Sequence, residues 1–164
     1  MLKATAQGWL GTRWLISAPD GQPATTLDLA SIRAGATWSL AGRQYRLFRE
    51  RGGQRALVLE ADGQRLATAT RTSLWRRTFA VRAAGDEWTL ALASAWKGRW
   101  ELSTPAGALG SIQPTGFWRR SALIDLPDAL PIELRIFLAA LVLLFVRDDD
   151  AVGSTAATSA ATVG

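Results

Sequence analysis

Three short clusters in the chain combine tryptophan with arginine or lysine: Trp75-Arg76-Arg77, Trp96-Lys97-Gly98-Arg99-Trp100 and Trp118-Arg119-Arg120. An indole ring prefers the boundary between water and an apolar phase, and a guanidinium offers a planar fork to phosphate. Together they predict a candidate site for lipid headgroups or other anions. The favoured competing interpretation is structural: arginine stacks on tryptophan across neighbouring strands, worth about 0.5–1 kcal/mol when exposed. Adjacent strand residues point to opposite faces, so each Trp-Arg-Arg would then turn only one arginine outward.

Catalytic chemistry has little basis in this composition. The chain has no cysteine and no histidine, which removes thiolate nucleophiles, the usual general base at neutral pH and the commonest metal ligands. No serine or threonine motif has a base to activate it. The run Asp148-Asp149-Asp150 lacks the glycine turn and later glutamate of a calcium loop. We therefore predict no catalytic residues, no metal site and no cofactor.

The charge balance favours anionic partners. The chain has 19 Lys and Arg and 14 Asp and Glu, a formal net charge of +5. Without the three aspartates at 148–150, 19 basic residues face 11 acidic ones, a net of +8. This excess suits an anionic lipid or membrane surface. Nucleic-acid binding is disfavoured because no recognised module is present, and protein partners are left open.

Turn signals recur roughly every ten to twelve residues, a spacing typical of all-β sandwiches and barrels. The clearest is Asp62-Gly63, since a two-residue hairpin loop needs positive φ at both positions. Alternation supports one-sided strands: in residues 87–93, Trp88, Leu90 and Leu92 share a face. Including residues 2–6, we count about 11–12 short strands, among them segments at 9–17, 55–61, 75–82 and 118–126.

One apolar segment near the C-terminus requires complete enclosure. Residues 136–146 carry no polar side chain, so a helix there has no face to show to water. A membrane span needs about 20 apolar residues, and runs of 10–14 are more often core helices. We predict one mostly β domain over residues 1–149: a closed or nearly closed antiparallel barrel around a buried helix at about 130–147. Residues 150–164 are predicted to be a disordered tail.

This pattern resembles the tubby-like barrel superfamily, which includes the tubby C-terminal domain, phospholipid scramblases and LURP-one-related proteins. The resemblance rests on the hairpin series from Asp62-Gly63 to Gly107 and on the closing segment GFWRRSALIDLPDALPIELRIFLAALVLLFV. It implies a barrel around its own C-terminal helix, whereas the functions of the family are varied. It places no phosphoinositide or calcium residues, and the family's acylated cysteines are absent.

Three functional hypotheses remain. The leading one is a non-enzymatic binding protein of tubby or LURP-one type that engages anionic lipid headgroups through the tryptophan–basic clusters. The second is a tail-anchored membrane protein with residues 130–147 in the bilayer, although Glu133 and Arg135 would lie inside its first turns. The third and least favoured is an enzyme using only carboxylates. The N-terminus lacks a continuous apolar core, so we expect a cytoplasmic protein, peripheral at the membrane.

Overall fold

The computed structural model describes residues 1–8, 10–52, 56–73, 75–115 and 120–160, the last twelve by their backbone. In it the chain forms a closed barrel of twelve antiparallel strands in sequence order, followed by one helix. The strands are β1 Leu2–Gln7, β2 Arg13–Ser17, β3 Pro23–Ser31, β4 Gly35–Leu40, β5 Arg43–Arg49, β6 Leu57–Ala61, β7 Gln64–Ser73, β8 Thr78–Ala83, β9 Asp86–Ser94, β10 Arg99–Thr104, β11 Gly107–Thr115 and β12 Ser121–Asp125; the helix is α1 Ile132–Ala160.

The barrel closes by pairing its first and last strands, with Leu2 opposite Ile124 and Thr5 opposite Ser121. Along each strand apolar side chains alternate inward, because successive residues of a strand point to opposite faces. All twelve strands contribute buried residues to one core cluster, which also includes helix α1. The predicted fold class, a closed antiparallel barrel with a buried apolar helix, is confirmed.

Helix α1 fills the barrel. From Ile136 to Leu144 no side chain is more than 2% exposed, which explains why this helix can be apolar on every face. The sequence prediction ended the helix near residue 147 and made residues 150–164 a disordered tail. In the structure the helical backbone continues to Ala160. The tail sequence is rich in alanine and lacks proline, so its residues allow the helix to continue beyond the end of the barrel.

The connections at the two ends of the barrel differ in length. In an up-and-down barrel alternate connections lie at the same end. We call the end where α1 begins the entry end and the opposite one the exit end. Four of the five strand–strand connections at the entry end have two residues, and those at the exit end have three to seven. Asp62-Gly63 is an entry turn with φ of 52° and 74°, as predicted for that hairpin.

Four strands begin later than the sequence indicated, all at the exit end. They begin at Arg13, Leu57, Thr78 and Ser121 rather than at residues 9, 55, 75 and 118. The exit connections contain tryptophan and arginine, which are not typical turn residues. The sequence pattern therefore did not show how long these connections are. The tryptophan–basic clusters therefore lie largely in connections and not on strands.

Candidate functional site

The exit-end connections carry a group of tryptophan, leucine and basic residues, all exposed except the half-buried Arg120, that we call the basic rim. By the alternation of strands, the connections after β1, β3, β5, β7, β9 and β11 all lie at this end. The described members of the basic rim are Leu10, Arg33, Arg51, Trp75, Arg76, Arg77, Trp96, Lys97 and Arg120.

The six tryptophans that the structure describes divide sharply between the core and the basic rim. Trp14, Trp38, Trp88 and Trp100 point into the barrel and are at most 9% exposed. Trp75 and Trp96 are 97% and 96% exposed. Exposure of an indole leaves about 150–250 Å² of largely apolar surface in water. Such exposure also leaves no room for a guanidinium stacked on either ring. The structural interpretation of these two tryptophans as partners in cation–π stacking is therefore wrong. The stacking seen in the described chain places Arg43 over Tyr45 and Arg46 over Phe48.

Two of the predicted clusters lie in the basic rim. Trp75, Arg76 and Arg77 form the turn before β8, and Trp96 and Lys97 lie in the turn before β10. Because these residues are in turns, strand alternation does not separate the two arginines, and both Arg76 and Arg77 are exposed. The prediction that only one arginine would face outward is wrong for this cluster.

Other members of the predicted site lie elsewhere. Trp100 is 1% exposed and belongs to the core, so it offers no indole to the outer surface. Arg99 lies at the start of β10, 4.0 Å from the carboxylate of Glu101. Trp118 and Arg119 lie outside the described residues. Arg120 is half-buried, and its Nη2 donates a hydrogen bond to the Gly8 carbonyl, which links the connection before β12 to the turn after β1.

The charges at the two ends of the barrel have opposite signs. Among the described residues, the exit-end connections contain one acidic side chain, Glu50, whose Oε1 accepts a hydrogen bond from Arg65 Nη2 at 2.5 Å. The entry-end connections contain no lysine or arginine; their charged residues are Asp20, Asp62 and Asp128. The described connections are therefore mainly basic at the exit end and acidic at the entry end, while α1 carries Asp148 at the exit end.

The basic rim keeps much of its charge free of internal pairing. Within the described chain no ion pair involves Arg33, Arg51, Arg76 or Lys97. Arg13, at the start of β2, behaves differently. Its Nε donates to Asp28 Oδ1 at 2.8 Å, and this hydrogen bond, with the charge of the carboxylate, raises the pKa of the guanidinium. The charge of Arg13 is thus neutralised locally, whereas Arg33, Arg51, Arg76 and Lys97 of the basic rim are exposed to solvent.

A cleft of about 720 Å³ opens within the basic rim beside the end of the apolar part of α1. The turn before β8 supplies Trp75, Arg76 and Arg77 to its lining. Leu92, Trp100 and Val146 are the large apolar residues that line it, the last of them from α1. We call this space the mouth cleft. It combines guanidinium groups, indole rings and apolar surface in one recess.

Comparison with known proteins finds no relative. No protein family, no curated protein and no solved structure matches the chain.

Two observations concern other kinds of site. Among the helical residues that the structure describes, no stretch is both long and apolar enough to cross a membrane as a helix. Within the described ranges, no group of three or more acidic side chains could hold a metal ion, and the chain has no histidine or cysteine.

Sequence reasoning missed three members of the basic rim: Leu10, Arg33 and Arg51. None of them belongs to a tryptophan–basic cluster, and Leu10 is 79% exposed. The signal that brings them together is the order of the strands. Numbering the predicted strands and grouping alternate connections would have placed all six exit connections at one end before the structure was known.

Proposed function

We propose that this protein is a non-enzymatic binding protein of tubby-like type that attaches to anionic membrane surfaces through the basic rim. One observation carries the proposal: the two fully exposed tryptophans of the described chain, Trp75 and Trp96, lie at the end of the barrel that carries the basic side chains of the basic rim. At the lipid–water boundary the apolar part of an indole ring is removed from water, while its N–H group can still donate a hydrogen bond to a polar acceptor. Exposed tryptophan beside exposed arginine and lysine is the composition expected of such a boundary.

Electrostatics makes the attachment reversible. A basic side chain near an anionic leaflet contributes about 1 kcal/mol, and the attraction falls off within a Debye length. The six described basic residues of the rim therefore contribute at most about 6 kcal/mol. This alone corresponds to weak binding, to which insertion of Trp75, Trp96 and Leu10 adds. The proposal thus requires both the charge and the indoles, and it requires sensitivity to salt.

The architecture supports the tubby-like part of the proposal. A barrel of twelve antiparallel strands closed around one apolar C-terminal helix is the arrangement that the resemblance implied. No relative is found by comparison, so the assignment rests on fold alone. Fold does not determine activity, and the lipid-binding part of the proposal depends on the basic rim.

The alternative of a tail anchor is less well supported. To enter a bilayer, residues 130–147 would have to leave the barrel, and this would expose inward side chains such as Ile16, Leu47 and Leu102, which are fully buried. Burying one large aliphatic side chain stabilises a protein by about 1.5–3 kcal/mol, so emptying a core lined by twelve strands would cost more than lipid contacts return.

Co-sedimentation with vesicles tests the proposal. The full chain is mixed with phosphatidylcholine vesicles with or without phosphatidylglycerol, at low and at high salt. We expect binding only to the anionic vesicles, and release at high salt. Binding that does not depend on phosphatidylglycerol, or an absence of binding at low salt, would refute the proposal.

A pair of charge variants locates the interaction. Lys97→Gln removes one positive charge from the basic rim, and the matched control Lys3→Gln removes one from β1, near the entry end. We expect the first to weaken vesicle binding about fivefold and the second to change it by less than twofold. Equal effects would mean that net charge alone drives binding and that the basic rim has no special role.

A further inference from the structure

The mouth cleft differs in shape and chemistry from the rest of the basic rim. It is a recess of about 720 Å³, within the range of about 300–1,000 Å³ typical of small-molecule sites. The guanidinium groups of Arg76 and Arg77 lie at its solvent side, where both residues are exposed. The half-buried Leu92 and Val146 also line it, and the core residue Trp100 lies behind them.

The polarity of this lining restricts the ligand. Among the residues that the structure describes, no carboxylate lines the cleft; the nearest acidic residue along α1 is Asp148, two positions after Val146. The polar side chains of the wall include Thr78 and two arginines, which suit an oxyanion, and Leu92 and Val146 add apolar surface to the same wall. A flat membrane surface cannot reach into a recess, whereas one small molecule with a charged head and an apolar body can occupy both parts.

We propose that the mouth cleft binds a single small amphiphilic anion, a carboxylate or phosphate carried on an apolar body. The oxyanion accepts hydrogen bonds from Arg76, and the apolar body packs against Leu92 and Val146. This site goes beyond membrane attachment, because it has one-to-one stoichiometry and needs no bilayer. A ligand there also contacts the end of the buried part of α1, so occupancy stabilises the fold through mass action.

Decanoate below its micelle concentration is the probe, and decyl glucoside is its uncharged counterpart. Isothermal titration calorimetry with the full chain should give one site for decanoate and no saturable binding for the glucoside. At about 100 times the dissociation constant, decanoate should raise the melting temperature by about 5–10 °C. Equal binding of the two amphiphiles, or no binding of decanoate, would overturn the proposal.

Two variants with matched controls locate the probe. Ala91 lies on the outer face of β9 and lines the mouth cleft, whereas Ala93 of the same strand is exposed and lies outside it. Ala91→Trp should fill the recess and abolish decanoate binding, and Ala93→Trp should leave it unchanged. Arg76→Gln should weaken binding about tenfold, while the control Lys3→Gln changes it less than twofold. Wild-type affinity in both Ala91→Trp and Arg76→Gln would contradict the assignment.

Vesicle binding by the same variants separates this inference from the proposed function. Ala91→Trp leaves the charge of the basic rim intact and should still sediment with anionic vesicles. If the wild type binds vesicles but not decanoate, the mouth-cleft proposal fails alone. If it binds decanoate but not vesicles, membrane attachment fails and the cleft is a site for a soluble ligand.

Discussion

The ring of Phe145 on α1 packs edge-on against the ring of Phe79 on β8, with centroids 4.8 Å apart and planes inclined by 61°. Trp100 completes the group, with its ring centroid 6.0 Å from that of Phe145. Two residues further on, Arg147 Nη1 donates to the Leu29 carbonyl oxygen on β3 at 2.9 Å. Helix α1 is thus fixed to opposite parts of the wall directly below the basic rim. The same aromatic group belongs to the core and, through Trp100, to the wall of the mouth cleft.

The helix should be indispensable to folding. Truncation before Leu130 removes the centre of the core, so residues 1–129 should show no cooperative thermal transition. Leu141→Asp should act similarly, because an unpaired buried charge costs several kcal/mol against a total stability of about 5–15 kcal/mol. Replacing Leu141, which is 1% exposed, by alanine should lower the free energy of unfolding by about 2–5 kcal/mol.

Leu123→Ala is the matched control for the helix variants, because Leu123 is 39% exposed on the outer face of β12. This control substitution should lower the free energy of unfolding by less than about 1 kcal/mol. A sharp unfolding transition for residues 1–129, measured by circular dichroism, would show that the helix is not the core of the barrel.

Two glycines with positive φ should differ in their tolerance of alanine. At Gly35, with φ of 89°, a Cβ would collide with the carbonyl group of Leu47 on the neighbouring strand. At Gly42, with φ of 76°, a Cβ would meet open space. Gly42→Ala should therefore lower the free energy of unfolding only by the conformational strain, about 1 kcal/mol. Gly35→Ala should lower it by at least twice as much. Denaturant unfolding of the two variants measures the difference, and equal losses would contradict the close approach at Gly35.

The exposed tryptophans should matter for binding and not for folding. The double variant Trp75→Ala/Trp96→Ala should keep the melting temperature of the wild type within about 2 °C, because neither ring packs in the core. It should bind anionic vesicles at least tenfold more weakly. Trp88→Ala, which empties a position 9% exposed in the core, should lower the melting temperature without affecting the basic rim. Unchanged vesicle affinity in the double variant would show that Trp75 and Trp96 do not contribute to membrane binding.

The architecture was predictable because its signals are local. Alternation in β9 and β10, the hairpin turn at Asp62-Gly63 and the apolar run before Arg147 each depend on neighbouring residues only. The boundaries at the exit end were less predictable, since tryptophan and arginine occur in strands and in connections alike. The extension of α1 to Ala160 was also missed, because a polar, alanine-rich segment lacks the amphipathic period that indicates a helix.

The site was only partly predictable from the sequence. The clusters around Trp75 and Trp96 stood out because indole and basic groups are adjacent. Trp100 was wrongly included, since adjacency in sequence does not show that a residue at the start of a strand faces inward. Leu10 and Arg33 were missed because their relation to the clusters exists only once six connections are brought to one end of a closed barrel.

The most direct test of the central claim asks which end of the barrel meets the membrane. The chain has no cysteine, so a single introduced cysteine carries a unique environment-sensitive fluorophore. Ala34→Cys places it in the connection after β3 at the exit end, and Ala106→Cys places it in the turn after β10 at the entry end; both alanines are exposed. On addition of anionic vesicles, we predict a blue shift and an increase in emission at position 34 and no change at position 106. A shift at position 106, or none at position 34 while the protein sediments with the vesicles, would contradict attachment through the basic rim.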